Sequence, residues 1–293
     1  MSAASSQTSA GSARAARLFI YGALILLALV YLLPLFVMLV TSFKPLAEIR
    51  GGDMMALPKS PTVEPWVRAW GEACIGVTCE GIKGYFWNSI RMVVPAVAIS
   101  TILGALNGYV LTKWQFPGHK LVFGMMLFAC FIPFQSVLIP MARVLGLLGL
   151  SNSTFGLVMV HVIYGLGFTT LFFRNYYAAF PDELVKAAMM DGAGFFRIFW
   201  RILLPSSGPI VVVTVIYQFT NIWNDFLFGV SFSSGAAAPM TVALNNLVSS
   251  STGVKEYNVD MAAAVIAALP TLFVYIVAGR YFVRGLMAGA VKG

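Results

Sequence analysis

The sequence predicts an all-α membrane protein of six transmembrane helices, with short helices lying at the cytoplasmic surface. Two observations carry this. The 293-residue chain is 59% hydrophobic and only 10% charged, with mean hydropathy +0.84, which is more apolar surface than one soluble core can hide. Long uncharged runs also recur along it, each near the roughly 20 residues that a helix needs to cross a bilayer.

The first run, Leu18 to Phe43, contains no charge. Arg14 and Arg17 precede it as in a secretory signal, but the run is too long and no small-x-small cleavage site follows, so it predicts a retained span. Residues 1–17, opening MSAASSQTSAGSA, are small and polar and predict a disordered cytoplasmic tail; residues 18–293 then form the membrane domain. Five further runs follow at Ser89–Leu111, Leu121–Met141, Thr154–Phe173, Ser206–Val230 and Met261–Val283. Pro34, Pro95, Pro133, Pro140 and Pro270 fall inside runs and predict kinks, which a bundle tolerates where neighbours satisfy the freed carbonyls.

Lysine and arginine set the orientation. With the amino terminus inside, Arg14, Arg17, Lys113, Lys120, Arg174, Lys186, Arg197, Arg201, Arg280, Arg284 and Lys292 are cytoplasmic, against only three acids, Asp182, Glu183 and Asp191. The whole formal charge of +8 then lies inside. Topology explains the basicity without nucleic acid, and no zinc-finger or helix-turn-helix pattern occurs. Two outer segments are sizeable, 44–87 and 231–260. The first holds CIGVTC, whose Cys74 and Cys79 are either bridged or free thiols; the oxidising side favours the bridge. No histidine or further cysteine lies near them, so no metal site is expected.

Between the fourth and fifth runs, Arg174, Asp182, Glu183, Lys186, Asp191, Arg197 and Arg201 would cost on the order of 20 kcal/mol to bury in hydrocarbon, which puts the loop 177–205 outside it. The loop still reads as helical. Pro181 and Asp182 supply start chemistry, Glu183, Ala187 and Asp191 share one face, and Asp191-Gly192 stops the helix where glycine takes the left-handed conformation. A second helix, with Phe195, Ile198, Phe199 and Ile202 on one face, ends at Pro205. An amphipathic connector resting on the membrane surface is the alternative.

The order Ala187-Ala188, Asp191-Gly192-Ala193, Phe199 and Pro205 resembles the EAA loop of permeases of the ATP-binding cassette (ABC) importers. SFKPLAEI, IPFQSVLIP, PDELVKAAMMDGA, QFTNIWNDFLF, PMTVAL and RYFVRGLMAGAVKG extend the resemblance over nearly the whole chain, toward the carbohydrate-uptake family and its second permease subunit, as in the maltose importer. The resemblance implies a multi-pass protein of the bacterial cytoplasmic membrane. Its partners would be a second permease, a pair of ATPase subunits that bind ATP and Mg, and an extracytoplasmic sugar-binding protein. It implies ATPase coupling through Glu183, Lys186, Ala187, Ala188, Asp191, Gly192, Ala193, Phe199 and Pro205, with Lys186 standing where the family has an acid. The outer loop carrying PMTVALNNL would reach toward the binding protein. The substrate class implied is a monosaccharide such as glucose or mannose; a disaccharide or polyol stays open.

This chain has no G-x-x-x-x-G-K-[ST] loop, so no cofactor is expected in it, and its energy comes from a partner or an ion gradient. An ion-coupled transporter would use Asp225 as its intramembrane acid, although a capping or solvated acid fits its place near the end of the fifth run. A membrane enzyme has less behind it: His119 and His161 are the only histidines, and His161 reads as a satisfied bundle residue. For a polar solute, Gln135, Gln218, Asn221, Trp223, Asn224 and Asp225 offer carboxamides, an acid and an aromatic face; helix-to-helix hydrogen bonding is the other reading of the same residues.

Overall fold

The structure, a computed structural model, describes residues 4–52, 55–249 and 254–290, with side chains between 13 and 279. It divides into two compact units, Met1–Ala73 with Ser251–Val265, and Cys74–Ser250 with Ile266–Gly293.

In the first unit α1 (Ala4–Ser42) starts well before the expected Leu18. Ala10, Ala13, Ala15 and Ala16 are strong helix formers, so the span propagates into residues expected to form a tail, whose first three lie outside the described residues. Most of its apolar side chains are bare: Leu18 is 74% and Tyr31 81% exposed, a surface that needs hydrocarbon or another apolar partner. After Ser42 the segment 44–87 folds into α2 (Leu46–Arg50) and α3 (Glu64–Gly71) ahead of the long helix that begins at Lys83. The ring of Phe43 packs on Trp66 at 5.3 Å, and the Phe43 carbonyl accepts from the Thr62 amide at 2.9 Å. The segment is then tied to the start of α14 (Tyr257–Ala290): Arg68 pairs with Glu256 at 2.5 Å, and Asn258 Nδ2 donates to the Lys44 carbonyl at 3.0 Å.

In the second unit the sulfurs of Cys74 and Cys79 lie at bonding distance, 1.95 Å, around a tight turn with Val77 at its exposed tip. α4 (Lys83–Lys113) packs along α7 (Thr154–Ala178). Gly104 and Gly108 let the backbones meet: a Cβ on Gly104 would lie 2.4 Å from Thr169 Oγ1, and one on Gly108 would lie 2.7 Å from the Arg174 amide. This is the small-xxx-small contact that membrane helices use for close approach.

The third and fifth runs are broken, where the sequence predicted continuous spans. α5 (His119–Cys130) and α6 (Phe134–Leu147) meet at 103°, because Pro133 has no amide to continue the ladder and pushes Ile132 out of the helical region. The carbonyl freed at Ile132 accepts from Tyr164 Oη of α7 at 2.7 Å. The second helix of the loop 177–205, made of α9 (Phe195–Ile198), a π turn and α10 (Leu204–Ser206), turns by 79° into α11 (Gly208–Trp223), with Ser207 between. Ser207 donates to the Leu203 carbonyl, and Tyr176 Oη donates to the Ser206 carbonyl at 2.7 Å. The helix therefore ends one residue beyond Pro205, which lies in its last turn. α11 stops at Trp223, and α12 (Leu227–Phe232) starts after the break at Asn224–Phe226. α13 (Met240–Ser249) occupies the outer segment where a loop was expected. Among the described residues four helices are long and apolar enough to span alone, and six spans result when each bent pair counts as one.

Candidate functional site

Two places concentrate functional chemistry, the loop after α7 and a cavity bounded by α6, α7, α11 and α12. In the loop, α8 (Asp182–Met190) begins at Pro181 as the sequence predicts. Gly192 has φ +76°, the Gly192 amide donates to the Met189 carbonyl at 3.0 Å, and the Ala193 amide donates to the Ala188 carbonyl at 2.9 Å. This pair of bonds is a Schellman cap, which needs a residue free to take the left-handed conformation. The second helix holds a π turn at Phe199–Leu203, a form that is rare and concentrated at functional sites.

Both helices are seated on a buried cluster of Ala105, Tyr109, Phe173, Tyr177, Val185, Ala188, Ile198, Phe199 and Leu203. Tyr109 stacks on Phe195 at 4.8 Å and Phe199 at 5.9 Å, and its hydroxyl accepts from Trp114 Nε1. Ala188 and Phe199 were expected to touch a partner; the structure buries both against the chain's own bundle, because the loop must bury one face to stay in place. Glu183, Lys186, Ala187, Asp191, Gly192 and Pro205 are exposed, and Ala193 is half-buried. Around them lie large apolar side chains that the charge reading passed over: Leu184, Met189, Met190, Phe196 and Trp200, with Met190 87% and Phe196 66% exposed. Their signal was present as apolar residues in a loop that the charge argument had already placed in water.

Sequence reasoning also missed the clamp. Lys113, at the end of α4 and nearly buried, donates to the Phe180 carbonyl at 2.6 Å and pairs with Asp182 at 2.5 Å. The hydrogen bond and charge of Lys113 hold the Asp182 carboxyl below its ordinary range. A depressed carboxyl stabilises the folded loop above its unfolded pKa of about 3.9 and loses that contribution as pH falls through the lower folded value. Asp182→Asn is therefore expected to raise exchange of the hydrogen-bonded amides of α8 several-fold at pH 7. After correction for intrinsic exchange, wild type should approach the variant only below about pH 3.9. Equal protection of the two at pH 7 would remove the clamp.

The cavity is of about 190 Å³ and is lined by Phe134, His161, Tyr164, Gly165, Phe168, Tyr217, Gln218, Asn221, Ile222, Asp225 and Phe228. Of the solute residues expected from sequence, the structure brings Gln218, Asn221 and Asp225 to it and leaves out the other three. Trp223 is buried in the core, stacked on Phe219 at 5.8 Å, with Nε1 donating to the Ala267 carbonyl at 2.9 Å. The indole faces inward because α11 presents Ile222 and Trp223 to the cluster that includes Met92, Val93 and Phe228. Asn224 is exposed and bonded to the Thr220 carbonyl of its own helix, and Gln135 is exposed near the start of α6. Gln218 is itself buried and donates to Ser100 Oγ at 2.9 Å, so it also ties α11 to α4.

Asp225 caps α12, accepting from the amides of Phe228 at 3.4 Å and Gly229 at 3.1 Å. His161 lies beside it, with Nε2 3.8 Å from Asp225 Oδ2. His161 is 5% exposed and its Nε2 has no hydrogen-bond partner, which corrects the reading of a satisfied bundle histidine. No serine or cysteine lines the cavity. Among the described residues no three His, Cys, Asp or Glu side chains gather.

Residues 100–287 match the family described as binding-protein-dependent transport system inner membrane component. The chain belongs to that family: it is a multi-pass permease component of an ABC import system in the inner membrane. It is 40% identical to a Pyrococcus horikoshii protein named "Probable ABC transporter permease protein", over 94% of this chain and 98% of the relative. A Haloferax volcanii xylose/arabinose import permease protein is 32% identical over 84% of this chain and 88% of its own length. The fold is shared with a chain of a bacterial ABC transporter involved in the import of the acidic polysaccharide alginate, at TM-score 0.79 and 22% identity, covering 92% and 98% of the two chains.

Proposed function

We propose that this chain is one of two permease subunits of an ABC sugar importer, and that the surface around Met190 and Phe196 docks into a partner ATPase. The observation that carries this is a helix-turn-helix with bare apolar side chains, held rigidly by Lys113 and by the Tyr109 cluster. Five large apolar groups left bare beside charged ones call for an apolar counterpart, and the groove of a partner ATPase supplies one where a membrane surface is the alternative. Both ATP and Mg would sit in the ATPase subunits, and a loaded extracytoplasmic binding protein would deliver the solute. The amino terminus is assigned to the cytoplasm, as is the loop, by the distribution of Lys and Arg. Cys74 and Cys79, lying outside on this orientation, form a bridge. A monosaccharide of the glucose or mannose type is the proposed substrate. The xylose/arabinose relative and the resemblance to carbohydrate permeases support a sugar.

An ion-coupled mechanism is disfavoured, because the one acid it would use is engaged in capping α12. Uptake into proteoliposomes that hold ATP and no ion gradient separates the two: transport only with a gradient would end the ABC reading. Coupling itself is tested at Gly192. Nothing lies within 4 Å of a Cβ there, so Gly192→Val adds no clash, but valine is strained at φ +76° and the cap opens at a cost of about 1 kcal/mol or more. Expected is ATP hydrolysis that continues while uptake falls about tenfold or more; uptake at the wild-type rate would count against docking through this turn.

A further inference from the structure

The cavity holds a polar group without a partner of its own. His161 Nε2 is buried and lacks a hydrogen bond, and the nearest acid oxygen, Asp225 Oδ2, is 3.8 Å away, beyond hydrogen-bond reach. An unpaired buried ring nitrogen is costly, and native proteins rarely keep one without a use. Asp225 is held in place by two amides of α12, so it cannot swing over to close the gap. An oxygen placed between the two groups reaches both. A hydroxyl suits this better than a cation, because it donates to the carboxylate and accepts from the imidazole N–H of the Nε2-protonated tautomer.

The rest of the wall has the same character. Tyr164, Phe168 and Tyr217 supply ring faces, and Asn221 adds a carboxamide at the exposed edge. The volume of about 190 Å³ would hold about six waters at their liquid volume, the scale of a single sugar ring.

We propose that this cavity is a solute subsite built from this chain alone, in which one hydroxyl of a neutral sugar bridges His161 and Asp225 while the ring lies on the aromatic wall. The proposal rests on the reading of the protein as a sugar importer, and its test keeps the two apart. The complete importer, with its binding protein, is reconstituted and ATP hydrolysis is measured with D-glucose, D-mannose, D-xylose, maltose and glycine betaine. No stimulation by any sugar, or stimulation by betaine alone, sinks both readings.

For the sugar that stimulates, uptake of its monodeoxy analogues is then compared between wild type, His161→Phe and Asn221→Ser. In wild type one analogue should be taken up about tenfold or more poorly. His161→Phe should transport that analogue and the parent sugar equally, and Asn221→Ser should weaken discrimination at a neighbouring hydroxyl. Asn221 is exposed and bonds to Tyr217 of its own helix, so its truncation leaves the helix packing intact if His161→Phe fails to assemble. Discrimination unchanged in Asn221→Ser, and in His161→Phe where it assembles, overturns the subsite and leaves the gap to water, with the importer reading untouched.

Discussion

Gly108→Leu is expected to lower the thermal midpoint and the yield of folded protein sharply. The added side chain would start 2.7 Å from the Arg174 amide and 2.8 Å from the Phe173 carbonyl carbon, so it meets backbone that cannot rotate away. Overpacking typically costs about 1 to 3 kcal/mol where side chains can give, and a backbone obstacle puts this case at the upper end or beyond. Against a total stability of about 5–15 kcal/mol, that is a large fraction, lost at the α4–α7 pairing on which both sites stand. Gly124→Leu is the control, since nothing lies within 4 Å of a Cβ there and its effect should stay within about 0.5 kcal/mol. The readout is monodisperse protein in detergent and its thermal midpoint. A Gly108→Leu protein that melts with the Gly124→Leu control would refute the close-approach account of this interface.

The second large effect concerns assembly. Met190→Asp with Phe196→Asp should leave the permease folded, because both side chains already face solvent, 87% and 66% exposed. It should still lose its ATPase. Buried apolar anchors at interfaces commonly cost 2 kcal/mol or more when removed, about 30-fold in affinity for each, and a buried carboxylate costs further. Co-purification of the ATPase with the doubly substituted permease is the measurement. Retention of a full complement, with uptake intact, would move the docking surface elsewhere.

How much of this was legible in the sequence differs from element to element. The turn at Asp191-Gly192 was, because glycine is nearly alone in accepting φ +76° and the residues around it alternate between one face and another. Charge cost argues that the loop lies outside the hydrocarbon. The breaks at Phe131–Pro133 and Asn224–Phe226 were not legible, since an apolar run has the same composition whether it crosses straight or folds back. Proline marked the first break without giving its angle, which depends on Tyr164 of another helix reaching the freed carbonyl. The α4–α7 contact did carry a signal, Gly104 and Gly108 four residues apart in an apolar segment, that hydropathy alone does not weigh. The sorting of Gln218, Asn221 and Asp225 from Trp223 and Asn224 depended on rotation of α11 about its axis. The polar positions follow one another too closely in sequence to fix that rotation.

Tyrosines at two levels of α7 hold the two breaks. Tyr164 grips the bend between α5 and α6 beside the cavity, and Tyr176 and Tyr177 grip Ser206 and Ser207 at the root of α11. Between these grips runs one uninterrupted helix, with a rise of about 1.5 Å per residue and Gly165 and Gly167 along it. α7 is in that sense a lever arm with a clamp at each end. A tilt at the loop end would reach the cavity end through this single element, without a relay of small rearrangements.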